Sequence, residues 1–169
     1  YKKETVAYGT QLTAIDAPTK EGHTFSGWSE VPATMPAKDV TISGVFSINT
    51  YLVTFKIGDE VIAADSLVYG AAIVAPEAPE KEGHTFNGWG EIAETVPAGD
   101  VTYEGSYTAN IYLLTYTVDG ETVQADSVVY GTAITALAEP TKEGHTFSGW
   151  SEVPATMPAK DVTISGVFS

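Results

Sequence analysis

The feature that most constrains this chain is a phrase of nine residues, Lys20-Glu21-Gly22-His23-Thr24-Phe25-Ser26-Gly27-Trp28, which returns at Lys81–Trp89 and Lys142–Trp150, 61 residues on each time. A phrase that keeps its glycines, aromatics and histidine in register over such a period marks one folded unit copied in tandem, so the chain is an array. Within the phrase, Gly22 suits a positive-φ turn after the Lys-Glu pair, and the alternating His-Thr-Phe-Ser suits a strand. Strict alternation would put Phe25 and Trp28 on opposite faces. A bulge at Gly27 returns both rings to one side, where they can anchor a small core, and the spacing predicts that bulge.

With 169 residues and a period near 60, the array holds two full copies and one partial copy, expected at 1–47, 48–108 and 109–169. Domains of that size bury only about 60% of their unfolded surface and often rely on disulfides or metals. This chain has no cysteine, so packing must hold it, and the three tryptophans, one per copy, are its largest apolar anchors. The missing cysteines exclude a disulfide framework without fixing the compartment.

Twenty-two acidic residues against eight lysines, with no arginine, leave a net charge of −14. Nucleic acid is a poor partner for that surface, which has no basic stripe. Anionic membranes would repel it, and no apolar run approaches the roughly 20 residues needed for membrane insertion. Tyr1 is not a natural start, so the sequence reads as part of a longer protein whose targeting signals lie elsewhere.

Residues 18–47 and 140–169 are identical over 30 positions, whereas 79–108 differs at many of them. What survives in the diverged copy is the expected skeleton: Gly83, His84, Phe86, Gly88, Trp89, Pro97, Asp100, Val101 and Gly105. The first copy starts at the equivalent of a returning strand, since Glu4–Gly9 matches Asp65–Gly70 and Asp126–Gly131. It lacks the outgoing strand, which in the second copy is Tyr51–Ile57, with Tyr51, Val53, Phe55 and Ile57 on one face. Residues 1–8 are therefore expected to be frayed or paired with a neighbouring molecule, and the first copy to be the least stable. Asp119-Gly120 and Gly58-Asp59 predict hairpin turns, and the opposite parity of Ile62 and Leu67 predicts one slip in the returning strand. Ala72-Ile73-Val74 reads as a short extended piece. Prolines at 76 and 79 bar a long helix there, and Pro32 and Pro36 leave room for at most one helical turn between Ser29 and Lys38. The last strand alternates Val40, Ile42, Gly44 and Phe46 with Thr41, Ser43, Val45 and Ser47. Only Ile48-Asn49-Thr50 or Ala109-Asn110-Ile111 then separates one copy from the next, which should restrict bending.

The ordered set of Tyr-x-Val-Thr-Phe at 51–55, Tyr-Gly at 69–70 and Pro-x-x-Pro-x-Lys-Glu-Gly-His-Thr-Phe-Asn-Gly-Trp at 76–89 resembles the Listeria–Bacteroides repeat family, the B repeats of internalin-type surface proteins. The resemblance covers essentially the whole chain. It implies a mainly β fold, α+β at most: small β-grasp-like modules strung as an elongated array in secreted or wall-anchored proteins. The chain has histidine at 23, 84 and 145 where such repeats often have tyrosine, and its Met35-Pro36-Ala37-Lys38-Asp39 turn departs from the shorter internalin version. The family implies no catalytic residues.

Histidines 61 residues apart fall in separate modules, and within one copy only carboxylates such as Glu21 and Glu30 could join them, so no metal site is expected. Asp119 and Glu121 lack the Asp-x-Asp-x-Asp-Gly pattern of a calcium loop. No Gly-x-Ser-x-Gly elbow is present, so neither catalytic residues nor a cofactor is expected. A Lys-Asn isopeptide between Lys56 and Asn87 would not be a repeated device, because Lys56 becomes Thr117 and Asn87 becomes Ser26 and Ser148. Trp28, Trp89 and Trp150 could stack on sugars if exposed, but small modules without disulfides need them inside. These readings lead to a non-enzymatic stalk or spacer of a bacterial cell-surface protein, extracellular and attached through parts outside this sequence. The alternative is an adhesive module that binds a host glycan or extracellular protein through a repeated face.

Overall fold

The computed structural model describes residues 2–13 and 15–169. Its regular structure is all strand among those residues. In chain order the strands are β1 (His23–Trp28), β2 (Gly44–Ile48), β3 (Thr50–Ile57), β4 (Glu60–Val68), β5 (His84–Phe86), β6 (Val101–Gly105), β7 (Tyr107–Ala109), β8 (Ile111–Val118), β9 (Glu121–Val129), β10 (Phe147–Trp150) and β11 (Val162–Phe168). They fall into two compact units. One comprises Tyr1–Pro76 with Trp89–Glu104, the other Glu77–Gly88 with Gly105–Ser169.

In the first unit, β1 pairs antiparallel with β2, and a three-stranded sheet runs in the order β4-β3-β6. The alternation of β3 buries Val53 and Phe55, as the sequence predicts. With Trp89, Val96 and Tyr103 they form the core, Phe55 meeting the Trp89 ring edge-on with centroids 5.2 Å apart. The predicted slip is a bulge: Phe55 lies opposite Ala63 and Lys56 opposite Val61, leaving Ile62 as the extra residue.

The second unit holds the antiparallel pair β5-β7 and a four-stranded sheet in the order β10-β11-β8-β9. Asp119 and Gly120 both take positive φ, 53° and 88°, as a two-residue turn twisted to suit a β8-β9 hairpin requires. The bulge recurs, with Val123 now the extra residue. β11 runs parallel to β8, and Ile164 lies opposite Tyr116. Parallel neighbours need a crossover, usually a helix. Here Pro140, Pro154 and Pro158 punctuate the chain that crosses from β9 to β11, which forms no helix among the described residues, carries β10 and is tied across Gly131–Ile134 and Ala155–Met157 by backbone bonds around the Ala133–Thr156 bridge. A parallel central pair with an antiparallel strand on each side fits the β-grasp-like sheet implied by the family resemblance, built without a helix. Its core is Leu114, Tyr116, Met157 and Ile164, with Trp150, Leu137 and Val153 packed against it.

The glycine bulge forms as predicted. Phe25 pairs with Phe46 and Trp28 with Gly44, three steps against two, and Gly27 takes φ 109°. The Phe25 and Trp28 rings then meet with centroids 5.0 Å apart, and Phe147 and Trp150 do the same.

The first copy differs from the third although their last 30 residues are identical. β11 begins at Val162, whereas its twin β2 begins only at Gly44, because among the described residues no strand equivalent to β8 lies beside residues 40–43. Residues 2–7, which match the returning strands β4 and β9, carry no strand pairing. Tyr1 lies outside the described residues.

Candidate functional site

The recurring phrase folds the same way in all three copies. The His23, His84 and His145 N–H groups each donate to the carbonyl of the lysine three residues back, 3.1 Å in every case, and the intervening glycine turns the chain with φ of 65°, 66° and 73°. Each imidazole Nδ1 lies 2.7, 2.8 or 2.9 Å from the carbonyl of Glu21, Glu82 or Glu143. A carbonyl only accepts, so Nδ1 carries the proton and, in the neutral ring, Nε2 is left as the acceptor. The lysine ammonium lies over an aromatic ring of the last strand: Lys20 over Phe46, Lys81 over Tyr107 and Lys142 over Phe168, 5.3 to 5.9 Å from the centroid. The histidine meets that same ring edge-on at 6.3 to 6.4 Å.

This lysine–aromatic–histidine set borders a cleft in the two later copies. One, of about 350 Å³, is lined by Pro79, Lys81, His84, Phe86 and Tyr107, and the Tyr107 hydroxyl donates to the Pro79 carbonyl. The other, of about 660 Å³, is lined by Pro140, Lys142, His145, Phe147 and Phe168. Near the latter, Asp119 accepts from the Phe168 N–H at 3.0 Å and lies 3.4 Å from the Lys142 ammonium. The Phe168 N–H first, and Lys142 after it, hold the Asp119 carboxyl below the usual carboxylate range. Among the described residues no three His, Cys, Asp or Glu side chains are grouped to hold a metal ion, and no helix is long and apolar enough to cross a membrane.

The other side of the glycine turn carries a second repeated arrangement. In the first unit the Tyr69 ring lies so close over Gly22 that a Cβ there would stand 2.1 Å from it; in the second unit Tyr130 covers Gly83 as tightly, and a Cβ there would stand 2.3 Å from the ring. The neighbouring histidine meets the same tyrosine edge-on, at 6.0 Å for His23 and 5.5 Å for His84. Asn49 joins the two partners. Its N–H donates to the Gly22 carbonyl at 2.9 Å, and its own carbonyl accepts from the Tyr69 N–H at 2.9 Å. Its side-chain oxygen accepts from the Thr24 hydroxyl at 2.7 Å, and its amide donates to the Tyr51 hydroxyl at 3.2 Å. Asn110 repeats all four bonds with Gly83, Tyr130, Thr85 and Tyr112.

The other residues singled out in the sequence have local partners. Trp28, Trp89 and Trp150 each donate Nε1–H to a carbonyl 13 residues earlier, that of Ile15, Pro76 and Leu137, at 2.9 Å. Trp89 is buried and the other two are half-buried. Lys56 pairs with Glu104 at 2.8 Å, and Asn87 bonds the side chains of Ser106 and Thr108. Asp100, one of the expected skeleton residues, accepts from the Leu52 N–H at 2.8 Å, and its counterpart Asp161 accepts from the Leu113 N–H at 2.8 Å. In the sequence Asn49 and Asn110 present themselves only as linker. The available signal was that asparagine is the one residue the two three-residue linkers share.

The model of the Listeria–Bacteroides repeat domain matches residues 1–44, 51–111 and 112–165. A protein described as a Gly-rich membrane protein of Evansella cellulosilytica is 31% identical over 163 residues, covering 85% of this chain and 19% of its own length. Internalin H of Listeria monocytogenes is 36% identical over 127 residues, covering 63% of this chain and 23% of its own. The chain thus spans about a fifth of the length of these relatives. Among solved structures, Mub-RV matches at 14% identity over 72% of this chain and all of that one, with a TM-score of 0.24 that bears no further weight. With three matches that together span nearly all of its length, the chain belongs to the Listeria–Bacteroides repeat family.

Proposed function

We propose that this chain is a non-enzymatic spacer of a bacterial surface protein, a run of modules whose work is to hold a distal part of the protein at a set distance. The observation that carries this reading is the length of the linkers. β2 ends at Ile48 and β3 starts at Thr50; β7 ends at Ala109 and β8 starts at Ile111. One asparagine stands between strand and strand at both places, and both of its main-chain groups are bonded. A flexible tether needs free residues, and these linkers have none. The acidic surface adds mutual repulsion between neighbouring stalks. Relatives named as membrane proteins and an internalin fit an extracellular, surface-attached location.

Small-angle scattering tests the reading. A single globule of this length has a radius of gyration of about 16 Å. The spacer is expected to exceed that clearly, and the globular value would overturn it.

The second reading, an adhesive module for a host glycan or extracellular protein, draws on the two clefts of matching composition at Lys81–His84 and Lys142–His145. A binding screen against glycans and matrix proteins decides between the two, specific micromolar binding favouring adhesion.

A further inference from the structure

The tyrosine of each Tyr-Gly pair has two possible owners. It can belong to the core of its own copy, or it can be a contact offered to the copy before it. The turn that carries it is anchored alike in all three copies: the Gly9, Gly70 and Gly131 N–H groups donate to the carbonyls of Met35, Val96 and Met157 at 2.9 to 3.0 Å. Yet Tyr8 is 79% exposed, while Tyr69 and Tyr130 are half-buried. What differs is a hairpin turn over the ring. Gly22 covers Tyr69, Gly83 covers Tyr130, and nothing described covers Tyr8. The tyrosine is thus buried by the preceding copy.

The turn shows the same contrast from its own side. Gly22 and Gly83 are buried, whereas Gly144 is exposed and a Cβ there would meet nothing within 4 Å. His23 and His84 are half-buried, and His145 is exposed. The positive φ explains glycine at all three positions. The close approach of a ring is an added demand, and only two of the three turns meet it.

We propose that the Gly-His-Thr turn is a docking surface whose partner is the Asn and Tyr-Gly of another repeat of this kind, and that the same surface at Gly144, His145 and Thr146 is open to such a partner. The occupant follows from the two occupied examples. A flat ring lies where only glycine leaves room, the histidine stands on its edge, and asparagine bonds the turn carbonyl and the threonine hydroxyl. Neither a helix nor an arbitrary strand supplies that combination. The inference holds whether the array is a spacer or an adhesin, since it concerns how one repeat recognises the next.

Amide exchange on the whole chain tests it. Tyr69→Ala should speed exchange at His23, Phe25 and Asn49 at least tenfold while amides of β3 stay within about threefold of their original rates. Tyr69→Phe should behave as the native chain, because the ring makes the contact. Equal rates in Tyr69→Ala and the native chain, or equal losses in the Ala and Phe variants, would overturn the assignment. A second arm adds a further copy of residues 48–108 after Ser169. Exchange at His145 and Phe147 should then slow to the rates of His84 and Phe86, and slow no longer when the added tyrosine equivalent to Tyr69 is alanine. If the added copy shows a protected β3-like strand while His145 and Phe147 are unchanged, the open surface is not a docking surface.

Discussion

The identical halves of the first and third copies allow one substitution to be made twice in the same local sequence. Ile164 is completely buried, opposite Tyr116 in the parallel pair β8-β11 and packed with Leu114 and Met157. Its twin Ile42 is half-buried and lies outside any strand. Replacing isoleucine by alanine deletes three carbons. At about 0.8 kcal/mol per buried methylene the transfer loss at Ile164 is about 2.4 kcal/mol. A cavity that the sheet cannot close adds about 1 kcal/mol, for a total of roughly 3 to 4 kcal/mol. At Ile42 only part of the side chain leaves water and no closed cavity remains, so the cost should be about 1 kcal/mol. Propensity terms cancel, because the neighbours in sequence are the same. Exchange of the Tyr116 amide reads the opening of the second unit, and since 1.4 kcal/mol is a factor of ten, Ile164→Ala should accelerate it more than a hundredfold. Ile42→Ala should accelerate exchange at Phe55, in the first unit, about tenfold at most. Equal effects at the two sites would refute the claim that the strands of the complete copy, and not the sequence of the phrase, create the core.

Asp119→Asn keeps a residue that tolerates positive φ but removes the charge. Because the folded state holds this carboxyl below its ordinary value, its contribution is present above the unfolded value and lost as pH falls through the folded one. The stability gap between native and variant should therefore be full at pH 7 and close below about pH 4, and a gap independent of pH would refute the charge assignment. Single-tryptophan variants should rank in acrylamide quenching, with Trp89 the most protected because it alone of the three is buried; a Trp89 quenched as readily as free indole would contradict its packing on Phe55.

Much of the module was legible because its signals are local. The bulge at Gly27 follows from two rings that need one face across an odd spacing, with a glycine between them. The slip in β4 was visible as a clash of parity between Ile62 and Leu67, and the structure places the extra residue at Ile62. Asp119-Gly120 declared its turn by type. What stayed hidden acts over distance. Asp100 reaches the Leu52 N–H 48 residues away, and nothing in a window around Asp100 indicates that acceptor role. Asn49 looked like spacing, since its four bonds go to partners that a linear reading assigns to different copies. The same limit explains residues 40–43 against 162–165. Sequence is constant there, and the strand forms only where β8 lies alongside.

This dependence on neighbours also explains why the recurring phrase is divided in the second copy. Gly83, His84 and Phe86 lie in the unit that contains Tyr130 and the sheet of the third copy, whereas Trp89 lies in the unit built on Phe55. Gly88, with φ 95°, stands at the division, and β5 has already ended at Phe86. One phrase therefore serves two purposes. Its tryptophan closes the core of its own copy, with Nε1–H bonded to Pro76, and its glycine and histidine receive the tyrosine of the next. A glycine between them, free to take a backbone conformation that L side chains rarely adopt, lets the two ends of the phrase satisfy different partners. A repeat built this way gains stability from each neighbour added, because every new copy brings a tyrosine and an asparagine to a turn that is otherwise open.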